Sequence, residues 1–268
     1  MCSSDLKLQK NPELLRLGGE SRELSIMFTD VRGFTTISEH YGKDVQGLTK
    51  IMNRYMTAMT AKIIENNGTL DKYIGDAQMA FWNAPLDEPN HAKMAVKTAI
   101  QMMDSLDAFN AEIAAEGVPA FGMGLGINTG VVVVGNMGSS QRFDYTCLGD
   151  HVNLASRLEG QSKPYGVKII LGPLTAEQVK DEYEVVELDC IAVKGKKEGV
   201  KIYTLGRSIV QESFLEAYYT GDWERAIVIA EEAIADKSTL TPYYEKMLER
   251  LKDGKPIDWD GVYRATSK

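Results

Sequence analysis

The segment at residues 25–38, SIMFTDVRGFTTIS, constrains the fold most strongly, because it places one carboxylate where an apolar run gives way to a glycine turn. Leu24, Ile26 and Phe28 alternate with polar or smaller residues, which predicts a half-buried strand that ends at Asp30. A carboxylate in that position is a candidate metal ligand. A structural role is the alternative, because Asp and Gly residues end many strands.

A second acidic turn lies in residues 68–82, GTLDKYIGDAQMAFW. Two apolar runs flank Gly75 and Asp76, a pair of residues that favours a tight hairpin. Mg²⁺ prefers a few carboxylate oxygens and leaves other positions to water and substrate phosphates, so Asp30 and Asp76 on neighbouring strand ends can share two ions. Neither turn is specific for a metal site by itself.

Three separated motifs give a more specific indication. MFTDVRGFT, DKYIGDAQMAFW and YTCLGDHVNLASRLEG occur in this order and at domain-like spacing. Together they resemble the class III adenylyl and guanylyl cyclase catalytic domain, of the bacterial adenylate cyclase type, over residues 23–205. The resemblance implies an α+β, ferredoxin-like class III cyclase fold, in which helices cover a mainly antiparallel sheet.

The same resemblance implies roles for individual residues. The family's two metal carboxylates correspond to Asp30 and Asp76, and the carbonyl of Val31 completes a site for two divalent ions, Mg²⁺ or Mn²⁺. Arg157 corresponds to the guanidinium that stabilises charge on the α-phosphate in the transition state. Asn153, one helical turn earlier, corresponds to the residue that orients the ribose.

Base recognition in the family corresponds to Lys72 and Thr146. A lysine suits the N1 acceptor of adenine, and a hydroxyl can accept a hydrogen bond from N6, whereas guanylyl cyclases typically have Glu and Cys at these places. A shift of one residue would pair Lys72 with Cys147 instead. Counting back from the pair Gly149 and Asp150 favours Thr146.

Recognition of the triphosphate is less fully specified. Lys194 of VKGK corresponds to the lysine that holds the terminal phosphates, with Lys196 and Lys197 beside it. Val131 follows NTG, where some relatives have an arginine that binds triphosphate. Other groups must therefore supply that positive charge.

The implied function is adenylate cyclase, which converts ATP to 3′,5′-cyclic AMP and pyrophosphate. The family's site forms between two catalytic domains, so we expect a homodimer with two shared sites and an inactive monomer. A catalytically silent nucleotide-binding or dimerisation module is one alternative, and guanylate cyclase is another. The presence of Asp30, Asp76, Asn153 and Arg157 disfavours the first, and Lys72 disfavours the second.

Composition narrows the classes of partner and site. The formal net charge of -8 argues against a general nucleic-acid binder. The 3 cysteines are widely spaced and odd in number, which indicates neither a disulfide framework nor a CxxC metal site. No run approaches the length of a membrane span. The resemblance to bacterial cyclases implies a cytoplasmic catalytic portion that an upstream membrane or sensor domain regulates.

Changes in composition predict three regions. Residues 1–22 resemble the linker that follows a sensor or membrane domain, with Gly18 and Gly19 as a joint, and residues 23–206 form the catalytic domain. Residues 207–268 form a C-terminal helical tail that resembles a single tetratricopeptide-like unit. One such unit cannot bury its own apolar face, so we expect it to pack on the main domain or on a partner. All three motifs precede the tail, so we expect the domain to fold without it.

Local patterns predict the elements between the motifs. Helices are expected at 45–66, 91–116 and 150–159, the last with Asn153 and Arg157 on one face. Strands at 121–128 and 131–136 are expected to form a hairpin through Thr129 and Gly130. Glycines alternate along the first of these strands, at positions 122, 124 and 126. They lack the spacing of a phosphate-binding loop and therefore favour close packing of a helix.

Overall fold

The computed structural model describes residues 18–139, 141, 143–192 and 198–264. Within them, nine strands form one sheet and eight helices cover it. The strands are β1 Gly18–Arg32, β2 Thr69–Ile74, β3 Ala77–Trp82, β4 Gly122–Gly138, β5 Phe143–Leu148, β6 Ile169–Leu171, β7 Val185–Ala192, β8 Val200–Leu205 and β9 Tyr263–Arg264. The helices are α1 Phe34–Tyr41, α2 Val45–Glu65, α3 His91–Ala114, α4 Asp150–Gln161, α5 Pro173–Val179, α6 Gln211–Thr220, α7 Trp223–Ala235 and α8 Thr241–Lys252.

The strand order is β2-β3-β1-β4-β6-β8-β7-β9, and β5 pairs with β4 outside this path. The contacts β4–β6 and β7–β9 are parallel, whereas the other strand pairs in the described residues are antiparallel. This confirms the expected α+β fold with a mainly antiparallel sheet.

The longest pairing joins β1 to β4, from Gly18 opposite Asn136 to Arg32 opposite Gly122. Gly18 and Gly19, predicted as a joint in a linker, are therefore part of a strand, and the sheet includes residues 20–22 as well. A strand with partners on both edges has its backbone hydrogen bonds satisfied on both sides.

The hairpin predicted at Thr129 and Gly130 is wrong, because β4 runs through both residues without a turn. Thr129 lies opposite Ser25 in β1, and their hydroxyl oxygens are 2.7 Å apart. A Cβ atom on Gly130 would lie 2.3 Å from the ring of His151, so close packing rather than a turn requires this glycine.

One face of the sheet packs against α2 and α3, and both helices occupy the predicted ranges. The carboxylate of Asp44 accepts a hydrogen bond from the backbone N–H of Gly47 and caps α2. Tyr55 of α2 stacks on Phe121, with 5.1 Å between ring centroids. These helices bury the largest apolar cluster of the domain.

The other face carries α4, which crosses the glycines of β4. A Cβ atom on Gly126 would lie 2.2 Å from the backbone nitrogen of Glu159, and one on Gly124 would lie 2.5 Å from Oγ of Ser162. The predicted close packing of a helix on these glycines is confirmed. It fixes the position of the helix that carries Asn153 and Arg157.

Three helices of the C-terminal tail, α6, α7 and α8, pack on the same face, and β9 joins the sheet beside β7. Phe214, Tyr218 and Tyr243 are fully buried in one cluster with Leu158 of α4 and Leu188 of β7. Of the two expected locations for the tail, the structure shows packing on the main domain. The tail and the main domain share this apolar core, and the expectation that the domain folds without the tail stays a prediction.

A buried ion pair fastens the tail to the sheet. Arg250 of α8 donates from Nη1 to Oδ2 of Asp189 in β7 at 2.7 Å, and the hydroxyl of Tyr165 donates to the same oxygen at 2.5 Å. The Asp189 side chain is 0% exposed. Burial raises its pKa to about 6, and the guanidinium of Arg250 opposes that rise. The guanidinium also lies 3.6 Å from the ring centroid of Tyr263.

We expect Arg250→Met to lower the free energy of unfolding by about 3–5 kcal/mol, because it leaves the Asp189 carboxylate buried without its cation. Urea denaturation followed by circular dichroism measures this loss. The double variant Asp189→Leu, Arg250→Met removes both charges and is expected to recover most of the stability. A single variant as stable as wild type would contradict the structural role of this pair.

Candidate active site

The two predicted metal carboxylates lie at adjoining ends of β1 and β3. Asp30 is near the end of β1, and Asp76 belongs to the two-residue turn that joins β2 to β3, where Gly75 has φ 66°. Antiparallel pairing of Thr29 with Gln78 places the end of β1 beside the start of β3. The structure therefore brings together the acidic residues of two motifs.

The electrostatics of this pair agree with the geometry. Burial raises the pKa of Asp30, and the negative charge of Asp76 raises it further. The backbone N–H of Val31 and the cation of Arg32 act in the opposite direction. Two carboxylates that repel each other in the absence of a cation form a site that a divalent ion would stabilise.

The donor set fits a hard cation such as Mg²⁺ or Mn²⁺, which takes oxygen ligands. Among the described residues, no group of three or more His, Cys, Asp and Glu side chains could hold a metal ion. Asp30 and Asp76 would therefore hold ions together with the carbonyl of Val31, water and substrate phosphates. A cleft of about 580 Å³ opens beside Asp76 and is lined also by Phe34, Met52 and Tyr73.

Replacing Asp76 tests this electrostatic picture. The folded-state pKa of Asp30 is above its ordinary value, so the ionised pair destabilises the metal-free fold increasingly as pH rises through that raised pKa. We expect Asp76→Asn to raise the metal-free Tm at pH 7 by about 1–2 °C. We also expect it to abolish most of the rise in Tm that Mn²⁺ causes in wild type.

Differential scanning fluorimetry without and with Mn²⁺ measures the metal-free Tm and the rise in Tm that the ion causes. Asp107→Asn removes an exposed carboxylate from α3 and serves as the matched control, which should leave both unchanged. If Asp76→Asn kept the full response to Mn²⁺, the assignment of Asp76 as a ligand would be wrong.

Arg32 and Glu159, which sequence reasoning did not select, connect the acidic pair to α4. Arg32 donates hydrogen bonds to the hydroxyl of Ser162 and to the carbonyl of Val167, the latter at 3.0 Å. Burial and the charge of Asp30 raise the pKa of Glu159 to about 7, against the effect of Arg32. Arg32 lies in the motif MFTDVRGFT and Glu159 in YTCLGDHVNLASRLEG, and this position is the sequence feature that could have identified them.

The two predicted base-reading residues, Lys72 and Thr146, contact the same carboxylate, that of Asp71. Thr146 of β5 donates a hydrogen bond from its hydroxyl to Oδ2 of Asp71 at 2.5 Å, and Nζ of Lys72 lies 3.5 Å from the other oxygen of the same carboxylate. Cys147, the alternative to Thr146, is 1% exposed and belongs to an apolar cluster with Ile26. Burial raises the pKa of this thiol to about 12. Cys147 therefore packs in the core, whereas Thr146 contacts Asp71, and the choice of Thr146 for base recognition stays a prediction.

The two catalytic candidates of α4 lie on its accessible side. Asn153 is exposed and Arg157 partly exposed, whereas Leu154 and Leu158 face the core shared with the tail. The helix thus separates a polar side from an apolar one, as predicted. Lys194 lies outside the described residues, together with Lys196 and Lys197.

Residues 19–207 match the family model of the adenylate and guanylate cyclase catalytic domain. The chain belongs to this family. Adenylate cyclase 1 of Rhizobium meliloti (strain 1021) is 36% identical over 201 residues, which are 71% of this chain and 30% of that protein. The adenylate cyclase of Anabaena cylindrica is 35% identical over 199 residues, which are 71% of this chain and 38% of that protein. The chain therefore spans about a third of the length of these curated relatives.

Solved structures of the family share the fold. The adenylyl cyclase CyaB from P. aeruginosa has a TM-score of 0.66 and 34% identity, covering 73% of this chain and 99% of that chain. The guanylyl cyclase Cya2 has a TM-score of 0.64 and 34% identity, covering 71% of this chain and 94% of that chain. These similarities confirm the predicted class III cyclase fold. They include enzymes named for either nucleotide.

In the part of the chain that the structure describes, no helix combines the length and apolarity needed to cross a bilayer.

Proposed function

We propose that this chain is an adenylate cyclase catalytic domain, which forms 3′,5′-cyclic AMP and pyrophosphate from ATP at sites shared between the subunits of a homodimer. The observation that carries the proposal is that Lys72 and Thr146 both contact the carboxylate of Asp71. Asp71 and Lys72 lie on the β2–β3 hairpin, which also carries Asp76. Candidate base-reading groups and candidate metal ligands thus occur together in a chain whose named relatives include adenylate cyclases.

The acidic pair and α4 would divide the chemistry between them. Bound divalent ions would lower the pKa of the attacking 3′-hydroxyl and neutralise triphosphate charge. Asp30 and Asp76 would hold these ions. Arg157 would place a fixed guanidinium against the α-phosphate, where negative charge increases in the transition state, and Asn153 would orient the ribose.

Selection of adenine follows from donors and acceptors. The ammonium of Lys72 would donate to N1, and the hydroxyl of Thr146 would accept from the N6 amino group. Guanine offers the opposite pattern, a carbonyl at O6 and a donor at N1. Guanylate cyclase activity is the competing function, because Cya2 is as similar in sequence to this chain as CyaB is.

A second copy of the chain would complete each site. Val131 and Val133 of β4 and Leu148 of β5 are 57%, 47% and 58% exposed, and Val133 lies opposite Leu148 in the β4–β5 pairing. An exposed apolar patch of this kind is typical of a protein interface. In the proposed dimer one subunit gives the aspartates, and the other gives Lys72, Thr146, Asn153 and Arg157.

The greater length of the relatives supports a wider proposal about regulation. We propose that this catalytic portion acts on ATP in the cytoplasm. An upstream membrane or sensor domain would control its activity.

A direct assay tests the proposed reaction. Purified protein is incubated with ATP or GTP in the presence of Mg²⁺ or Mn²⁺, and the cyclic products are separated by chromatography. We expect cyclic AMP as the main product and little reaction without a divalent ion. Cyclic GMP as the main product would replace the adenylate assignment with guanylate cyclase. Binding of nucleotide without any cyclic product would favour the silent module.

Subunit mixing tests the shared sites. Asp30→Ala and Arg157→Ala proteins should each be inactive as homodimers, whereas a heterodimer of the two has one site with both lesions and one intact site. With unbiased exchange at equal concentrations, half of the dimers are mixed and each keeps one of its two sites. Activity should therefore recover to roughly a quarter of wild type if the sites act independently.

Subunit exchange is verified with two different affinity tags, and unmixed samples should stay inactive throughout. Proven exchange without any recovery would show that one chain supplies all the catalytic groups, and the shared-site proposal would have to be abandoned.

A further inference from the structure

Asp71 occupies an unusual position in the base-reading region. The pairing of β2 with β3 shifts register between Leu70 and Lys72, so Asp71 lies in an irregular part of the strand. Its side chain is 0% exposed, whereas that of the next residue, Lys72, is 44% exposed. One buried carboxylate therefore contacts both Lys72 and Thr146, the two residues that would read the purine.

The contact with Thr146 limits what its hydroxyl can do. A threonine hydroxyl has a single proton and two lone pairs, so without other contacts it can donate to a base or accept from one. Here the proton is committed to Oδ2 of Asp71 at 2.5 Å. The hydroxyl can then only accept from a further partner. An acceptor suits the 6-amino group of adenine and is mismatched to the 6-oxo group of guanine.

We propose that Asp71 is the positioning residue for purine specificity, because it holds the Thr146 hydroxyl as an acceptor and fixes the position of the Lys72 ammonium, which is always a donor. The inference rests on the proposed adenylate cyclase function. Asp71 would determine the choice between adenine and guanine without itself contacting the nucleotide.

The charges around Asp71 agree with this role. Burial raises the pKa of the carboxyl, and the nearby charge of Asp144 acts in the same direction. The hydrogen bond from Thr146 and the cation of Lys72 oppose this rise. Lys72 and Thr146 thus stabilise the ionised carboxylate, which has no proton to donate and can only accept the hydrogen bond from Thr146.

Asp71→Asn is the main test, because it keeps the shape of the side chain and introduces an amide donor. The amide can donate to Thr146, which frees its hydroxyl to donate to a 6-oxo group. We expect the ratio of kcat/KM for ATP to kcat/KM for GTP to fall about 10-fold, the value of roughly one hydrogen bond. Inosine triphosphate has the 6-oxo group without the 2-amino group, so the ratio of kcat/KM for ATP to kcat/KM for inosine triphosphate should also fall.

Thr146→Val is the matched background. Because Thr146→Val removes the hydroxyl, Asp71→Asn can act in that background only through Lys72, and it should change the nucleotide ratio by less than it does in wild type. A merely structural role for Asp71 would instead lower activity with both nucleotides equally and leave their ratio at the wild-type value. Tm and gel-filtration profiles show whether each variant is folded and dimeric.

A nucleotide analogue tests the same contact in the unmodified protein. Purine riboside triphosphate lacks the 6-amino group, so the acceptor on Thr146 would be left without a partner. We expect kcat/KM about 10-fold below that of ATP. An undiminished value would overturn the acceptor role whether or not the variants fold.

Failure of the inference is distinguishable from failure of the proposed function. The wild-type preference between ATP and GTP tests the function, whereas the shift of that preference in Asp71→Asn tests the inference. If no cyclic product forms, Kd values of ATP, GTP and purine riboside triphosphate, measured by competition with a fluorescent nucleotide, provide the same comparisons. An unchanged ratio in a folded Asp71→Asn protein would refute the role of Asp71 in either readout.

Discussion

The antiparallel pairing of β1 with β4 is the constraint on which the rest of the structure depends. It places Asp30 at the end of one strand and the row of glycines at the matching end of the other. These glycines let α4 approach the sheet at backbone distance, which brings Glu159 into the electrostatic environment of Asp30. The candidate metal ligand Asp30 and the helix of the catalytic candidates are thus both positioned by the β1–β4 pair.

Two partly or fully buried acidic residues, Asp189 and Asp30, have opposite electrostatic surroundings. Asp189 is buried, but the chain supplies its own cation in Arg250 and a hydrogen-bond donor in Tyr165. Asp30 is instead placed near a second negative charge, that of Asp76. The first arrangement stabilises the fold directly, whereas the second leaves electrostatic repulsion that a bound cation would relieve.

The sequence predicted those features whose signal is local. The hairpin at Gly75 and Asp76, the long helices and the two-sided character of α4 all follow from patterns within a few residues, and the structure shows each of them. The prediction of a turn at Thr129 and Gly130 was wrong, because the pairing of these residues with β1 outweighs a weak local preference for a turn. The contact of Thr146 with Asp71 joins positions 75 residues apart, and no local pattern specifies such a contact.

The β2–β3 hairpin carries Lys72 near the end of one strand and Asp76 in the turn that follows. In the proposed dimer these two residues serve different nucleotides, because one subunit reads the base with Lys72 and gives its aspartates to the opposite site. The hairpin is then a short covalent connection between two active centres. In such a dimer, a nucleotide that moves Lys72 at one centre would also move Asp76 at the other, and this connection would couple binding at the two centres.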